Sequence, residues 1–405
     1  MSIRPTVRYF DRTTAPHLTT LVLLAGVAAM SLNVFLPSLP SMAAYFGVDY
    51  AVMQLSLSLY LATTALLQLF VGPISDRFGR RPVMLAAAII FTLACAGSLL
   101  APNYSIFLAC RLVQAVVASG FVLSRAAVRD MVPQDQAASM IGYVQMGMAM
   151  VPMIAPVIGG LLDSAFGWQA SFMMMMLSGA AMCVVVYFDM GETTTSRATS
   201  MTAQFRQYPD LLTSQRFWGY CLAAGFASGA FFAYLGGAPY IGTTFFKMDA
   251  ATLGLYFGAP ALGYMAGNFF SGRYAVRYGV NRMVIAGALT STLGMAALAL
   301  LELAGLSGPV LFFGLMIFVG LGNGLLSPSA NAGMLSVRPK LAGSAAGLGG
   351  SFLIGVGAAL SALAGFLLDP ETGPMPLILL MLLTSLASYL CILWVIRREN
   401  QIKGA

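Results

Sequence analysis

The stretch Gly72-Pro73-Ile74-Ser75-Asp76-Arg77-Phe78-Gly79-Arg80-Arg81 lies as a loop between two long apolar runs, and the chain returns to its pattern 200 residues later. The second copy reads Gly272-Arg273-Tyr274-Ala275-Val276-Arg277-Tyr278-Gly279-Val280-Asn281-Arg282. Gly72 falls in register with Gly272, Arg77 with Arg277, Phe78 with Tyr278 and Gly79 with Gly279. A chance match would need four positions of matching chemistry at fixed spacing, so the chain reads as two similar halves.

What surrounds these stretches says where the halves reside. The residues are 59% hydrophobic and 9% charged, whereas a soluble domain carries roughly 25% charged residues. Apolar runs of about 20 residues, enough to cross a hydrocarbon core of roughly 30 Å, recur twelve times. In residues 1–188 they fall at 18–40, 52–72, 82–101, 105–125, 137–162 and 168–188. In residues 216–405 they fall at 216–238, 250–272, 282–303, 308–330, 342–367 and 374–396. Residues 189–215 between them are polar, rich in Thr, Ser and Gln, and read as a linker. The expectation is an all-α polytopic membrane protein of two pseudo-symmetric six-helix bundles. Duplicated membrane halves of this kind are an architecture of transporters. The first run is long enough to span and eleven follow it, so the N-terminus is expected to be retained rather than cleaved.

Charge placement orients the chain. Of the 21 Lys and Arg, 19 fall in loops on one side, leaving Lys247 opposite and Arg111 inside an apolar run. By the positive-inside rule both termini are expected in the cytoplasm. Nucleic-acid binding would need this basic charge gathered on a soluble face, so the expected partners are the lipid bilayer and a small-molecule substrate, with the protein a monomer. The 14 acids lie toward the ends of the runs, none deep. With one His, dispersed acids and five Cys without CxxC spacing, no metal site, cofactor or catalytic set is indicated, which sets aside a membrane-embedded enzyme.

Four stretches together resemble the major facilitator superfamily, specifically the bicyclomycin and chloramphenicol resistance (Bcr/CflA) branch of its twelve-helix drug:proton antiporters. The first quoted stretch matches the superfamily pattern G-x-x-x-D-R-x-G-R-R. Helix 4 carries Arg111-Leu112-Val113-Gln114, similar to the R-x-x-Q element, followed by Arg125-Ala126-Ala127-Val128-Arg129-Asp130. Helix 5 carries Pro152-Met153-Ile154-Ala155-Pro156-Val157-Ile158-Gly159-Gly160, close to the antiporter G-P-x-x-G-G signature with Ala155 in place of its first Gly. Helix 1 ends Ser31-Leu32-Asn33-Val34-Phe35-Leu36-Pro37, with Asn33 where the branch has an acid.

The resemblance implies a secondary exporter of lipophilic, drug-like compounds across the bacterial inner membrane, working by alternating access with proton antiport. Gly72, Asp76, Arg77, Gly79, Arg80 and Arg81 would form a conformational latch, Asp76 docking near the helix 11 N-terminus around Leu341 to Ser344. Pro152, Pro156, Gly159 and Gly160 would let helix 5 bend and pack closely at the interface of the halves. A central Arg costs roughly 2.5 to 3.5 kcal/mol on insertion scales, so Arg111 is expected to serve function, with a structural Arg satisfied by helix carbonyls as the plainer reading. Asn33, Gln114, Tyr143, Phe231, Tyr234, Asn268 and Asn323 join it as candidates for the substrate cavity or its coupling, and Gln68 and Gln145 are further polar groups within runs. Because Asn33 cannot titrate, Asp163 becomes the candidate proton carrier. The alternative that this departure opens is an exporter or facilitator of an anionic or polar metabolite with weak or no proton coupling.

Overall fold

The computed structural model describes residues 8–132, 134–194, 211–338, 342–369 and 371–403, with the side chains of some helical residues in these ranges left aside. Among these residues twelve helical rods follow one another: α1 (Leu18–Phe46), α2 (Tyr50–Phe78), α3 (Arg80–Leu99), α4 (Tyr104–Met131), α5 (Gln134–Phe166), α6 (Gln169–Asp189), α7 (Gln215–Phe245), α8 (Ala250–Phe257 and Ala259–Tyr278), α9 (Val280–Leu303), α10 (Pro309–Ser336), α11 (Ala342–Leu367) and α12 (Met375–Lys403). Ten are long and apolar enough on their own to cross a membrane; α5 and α8, the latter interrupted at Gly258, complete the set. No strand occurs among the described residues.

The rods outrun the apolar runs, because main-chain hydrogen bonding continues where lipid stops. The signature stretch is therefore not a loop. Helix α2 continues through it to Phe78 and α3 begins at Arg80, leaving Gly79 alone to turn the chain at φ 102°. The repeat does the same at Gly279, φ 84°, between α8 and α9. A side chain at such a φ would be strained, which accounts for Gly in both copies. Elsewhere α1 passes through a tighter turn at Leu36–Ser38, which contains Pro37, and α7 ends in a wider one at Ile241–Phe245.

The first six rods meet the last six along two seams. Helix α2 lies along α11, and α5 lies against the first piece of α8. Close approach at the second seam depends on missing side chains: a Cβ on Gly160 would stand 2.2 Å from the Ala250 carbonyl oxygen, and one on Gly254 would stand 2.6 Å from that of Pro156. Both contacts lie toward the end of the bundle away from the termini. Most of residues 189–215, expected as the linker, lie outside the described residues.

Candidate functional site

Arg111 stands fully buried in α4 and draws three helices together. Its Nη2 donates to the Ser31 carbonyl of α1 at 2.7 Å, and Nη1 donates to Gln114 Oε1 at 2.7 Å and to Ser31 Oγ at 3.4 Å. The guanidinium lies between the rings of Phe35 and Tyr60, 4.1 and 4.2 Å from their centroids. Gln114 carries the network to α3, donating to Ser98 Oγ at 2.8 Å and to the Ala94 carbonyl at 3.2 Å. No carboxylate is among these partners, so ring faces and carbonyl oxygens supply the negative potential. A desolvated cation over an aromatic face gains about 2 kcal/mol or more. The Arg111 Nε has no hydrogen-bond partner.

Asn33, two residues past Ser31 on α1, is buried as well; its Nδ2 donates to the Ala29 carbonyl at 2.7 Å while Oδ1 is unpartnered. The remaining candidates do not gather around Arg111. Tyr234 is fully buried, stacks on Phe257 at 4.9 Å and donates to the Phe257 carbonyl at 2.9 Å, which ties α7 to α8. Phe231 stacks beside it at 6.5 Å. Asn268 donates to Tyr264 at 2.8 Å and Asn323 accepts from Ser327 at 2.6 Å, each bonding within its own helix. The side chains of Tyr143 and Gln145 lie outside the described residues. Half-buried Asp163, near the end of α5, accepts from Ser41 Oγ at 3.1 Å.

Sequence reasoning missed the polar contact between the two sets of helices. Gln54 of α2 is fully buried and its Nε2 donates to the Ser361 carbonyl of α11 at 2.6 Å and to Ser361 Oγ at 2.8 Å. Tyr50 donates to the Gly236 carbonyl of α7 at 2.7 Å, its ring 5.0 Å from that of Tyr240. The signal available was a glutamine in an apolar run, shared with Gln68. Beside the other seam, Val157, Ile158, Leu255, Tyr256 and Phe313 line an open apolar groove on the outside of the bundle.

At the opposite end, Asp76 pairs with Arg80 at 2.5 Å, and Arg80 Nε reaches Asp130 in the last turn of α4 at 3.1 Å. Arg80 also donates to Ser75. Arg77 covers the Phe78 ring at 5.4 Å, and Arg81 donates to the Tyr187 carbonyl at 2.8 Å. Leu341 and the side chains through Ser344, the expected dock for Asp76, lie outside the described residues.

Residues 21–362 match the family model of the Major Facilitator Superfamily. The chain belongs to that superfamily. Within it, the chain is 31% identical to multidrug resistance protein D of Escherichia coli, over 92% of this chain and 94% of that protein. It is 30% identical to a chloramphenicol resistance protein of Pseudomonas aeruginosa, over 82% and 80%, and 29% identical to a bicyclomycin resistance protein homolog of Haemophilus influenzae, over 90% and 92%. These relatives set it in the Bcr/CflA branch. Its fold is also that of an inward-facing bacterial homolog of the human lysosomal transporter Spinster, with TM-score 0.69 at 15% identity over 94% of both chains. This member of the superfamily is a transporter, not an enzyme, and a multi-pass membrane protein.

Proposed function

We propose that this transporter exports small lipophilic, drug-like compounds across the bacterial inner membrane by alternating access coupled to proton antiport. The names borne by its relatives support the substrate class and direction. The observation that carries the mechanism is the closure at the end away from the termini, where buried Gln54 and Tyr50 join α2 to α11 and α7. The asymmetry of the Lys and Arg count favours a cytoplasmic placement of both termini, so the structure is read as closed on the outer side. Residues 1–188 and 216–405 rock as two halves joined by 189–215, in a monomer.

In this cycle Arg111 acts by holding α1, α2 and α4 in one arrangement, because its side chain exposes no surface. Asn33 supplies no proton, and Asp163 carries that duty. The test is substrate efflux from proteoliposomes with and without an imposed pH gradient. Efflux that rises with the gradient, and loses that response in Asp163→Asn, is the expected result. Efflux indifferent to the gradient in the unaltered protein would remove proton antiport.

A further inference from the structure

The strap that leaves α6 returns to the signature stretch and closes over it. Glu192 Oε1 accepts from the main-chain N–H of Arg80 at 2.8 Å and from those of Thr193 and Thr194 at 3.1 Å, while Oε2 accepts from the N–H of Arg81 at 3.4 Å. These two arginines are the first residues of α3, whose opening N–H groups have no partner inside the helix. The adjoining Thr193 hydroxyl donates to Asp130 at 3.3 Å, the same carboxylate that Arg80 reaches. Burial works to raise the Glu192 carboxyl, but the converging N–H groups outweigh it and hold it below its ordinary range.

The strap is itself anchored. Asp189, 1% exposed, accepts from the main-chain N–H groups of Phe10 at 2.8 Å and His17 at 3.2 Å and from the Thr20 hydroxyl at 2.6 Å, which fixes it to the start of α1. Gly191 allows the close passage, since a Cβ there would stand 2.0 Å from the Thr14 carbonyl oxygen. The requirement for glycine at Gly79 is thus double: its φ is positive, and a Cβ would lie 2.3 Å from Glu192 Oε2.

We infer that Glu192 is a positioning residue for the transport cycle: by capping α3 it holds Arg80 between Asp76 and Asp130, so the strap at the head of the linker sets how readily the signature stretch rearranges. The inference rests on the reading of the protein as an alternating-access exporter, and its test separates the two. In the full-length protein in nanodiscs, hydrogen exchange of the Arg80 and Arg81 amides is compared between wild type, Glu192→Gln and Glu192→Ala. Because the two amides lose a charged acceptor, Glu192→Ala is expected to speed their exchange by roughly tenfold or more, with Glu192→Gln between. Turnover should change severalfold in Glu192→Ala while KM stays within about twofold, which a general loss of folded protein would not produce. Gly79→Ala supplies a second arm: its penalty on thermal stability should be smaller in the Glu192→Ala background, because the clash with the carboxylate is gone while the φ strain and the contact with Pro82 remain. Unaltered amide exchange, or strictly additive effects of the two substitutions, would overturn the capping; unaltered turnover despite faster exchange would overturn the positioning role. Faster exchange in a protein that exports nothing would leave the cap standing and defeat the exporter reading.

Discussion

Gln54→Leu tests the gate most directly. The substitution keeps the side chain about the same size and removes the two donations from Nε2 to Ser361, at 2.6 and 2.8 Å. Each hydrogen bond contributes about 1 kcal/mol net, so the closed arrangement should lose about 2 kcal/mol. A factor of ten accompanies each 1.4 kcal/mol, so the ratio of closed to open at this end should fall roughly 30-fold. The assay is a distance distribution between spin labels at positions 49 and 245, both exposed at this end, with the five native cysteines replaced. The expected result is a new long-distance population in Gln54→Leu. Gly355→Ala serves as the control, since a Cβ there meets nothing within 4 Å. An unchanged distribution in Gln54→Leu, in a protein that still folds, would refute the claim that this contact holds the end shut.

Three further outcomes follow from the same geometry. Gly160→Ala should open the α5–α8 seam and reduce transport at least severalfold in the proteoliposome assay, because its Cβ would stand 2.2 Å from a main-chain oxygen that has no flexible end to move, whereas Gly272→Ala should be neutral. Arg111→Ala should lower thermal stability by several kcal/mol, since it strips Gln114 Oε1 and the Ser31 carbonyl of a donor and leaves a cavity between Phe35 and Tyr60; Arg111→Lys should recover part of it, the ammonium lacking the planar fork, and the check is the melting temperature in detergent. Asp76→Asn breaks the pair with Arg80 and should slow turnover while leaving substrate binding, measured by ligand fluorescence, unchanged.

The number and order of the membrane-crossing rods were legible in the sequence because hydrophobic length reports directly on the thickness of the bilayer, and the superfamily was legible because its glycines and charges recur at fixed spacing. Arg111 stood out for the same reason, as a charge in an apolar run. Its surroundings did not: that Phe35, Tyr60 and the Ser31 carbonyl converge on it depends on how α1 and α2 cross α4, which no spacing along one helix encodes. Gln54 and Gln68 make the point within a single helix. They are about four turns apart on α2, and both turn toward α11, Gln54 to Ser361 and Gln68 to within 3.5 Å of where a Gly350 Cβ would stand. Only the packing decides that one is sealed in a hydrogen-bonded seam and the other is not, because that depends on what α11 sets opposite each of them, Ser361 in the one case and Gly350 in the other. The glycine turn at Gly79 shows the same division. Its place in the pattern could be read from the chain alone, but the carboxylate that crowds it comes from Glu192, more than a hundred residues away, and only the folded chain brings the two together.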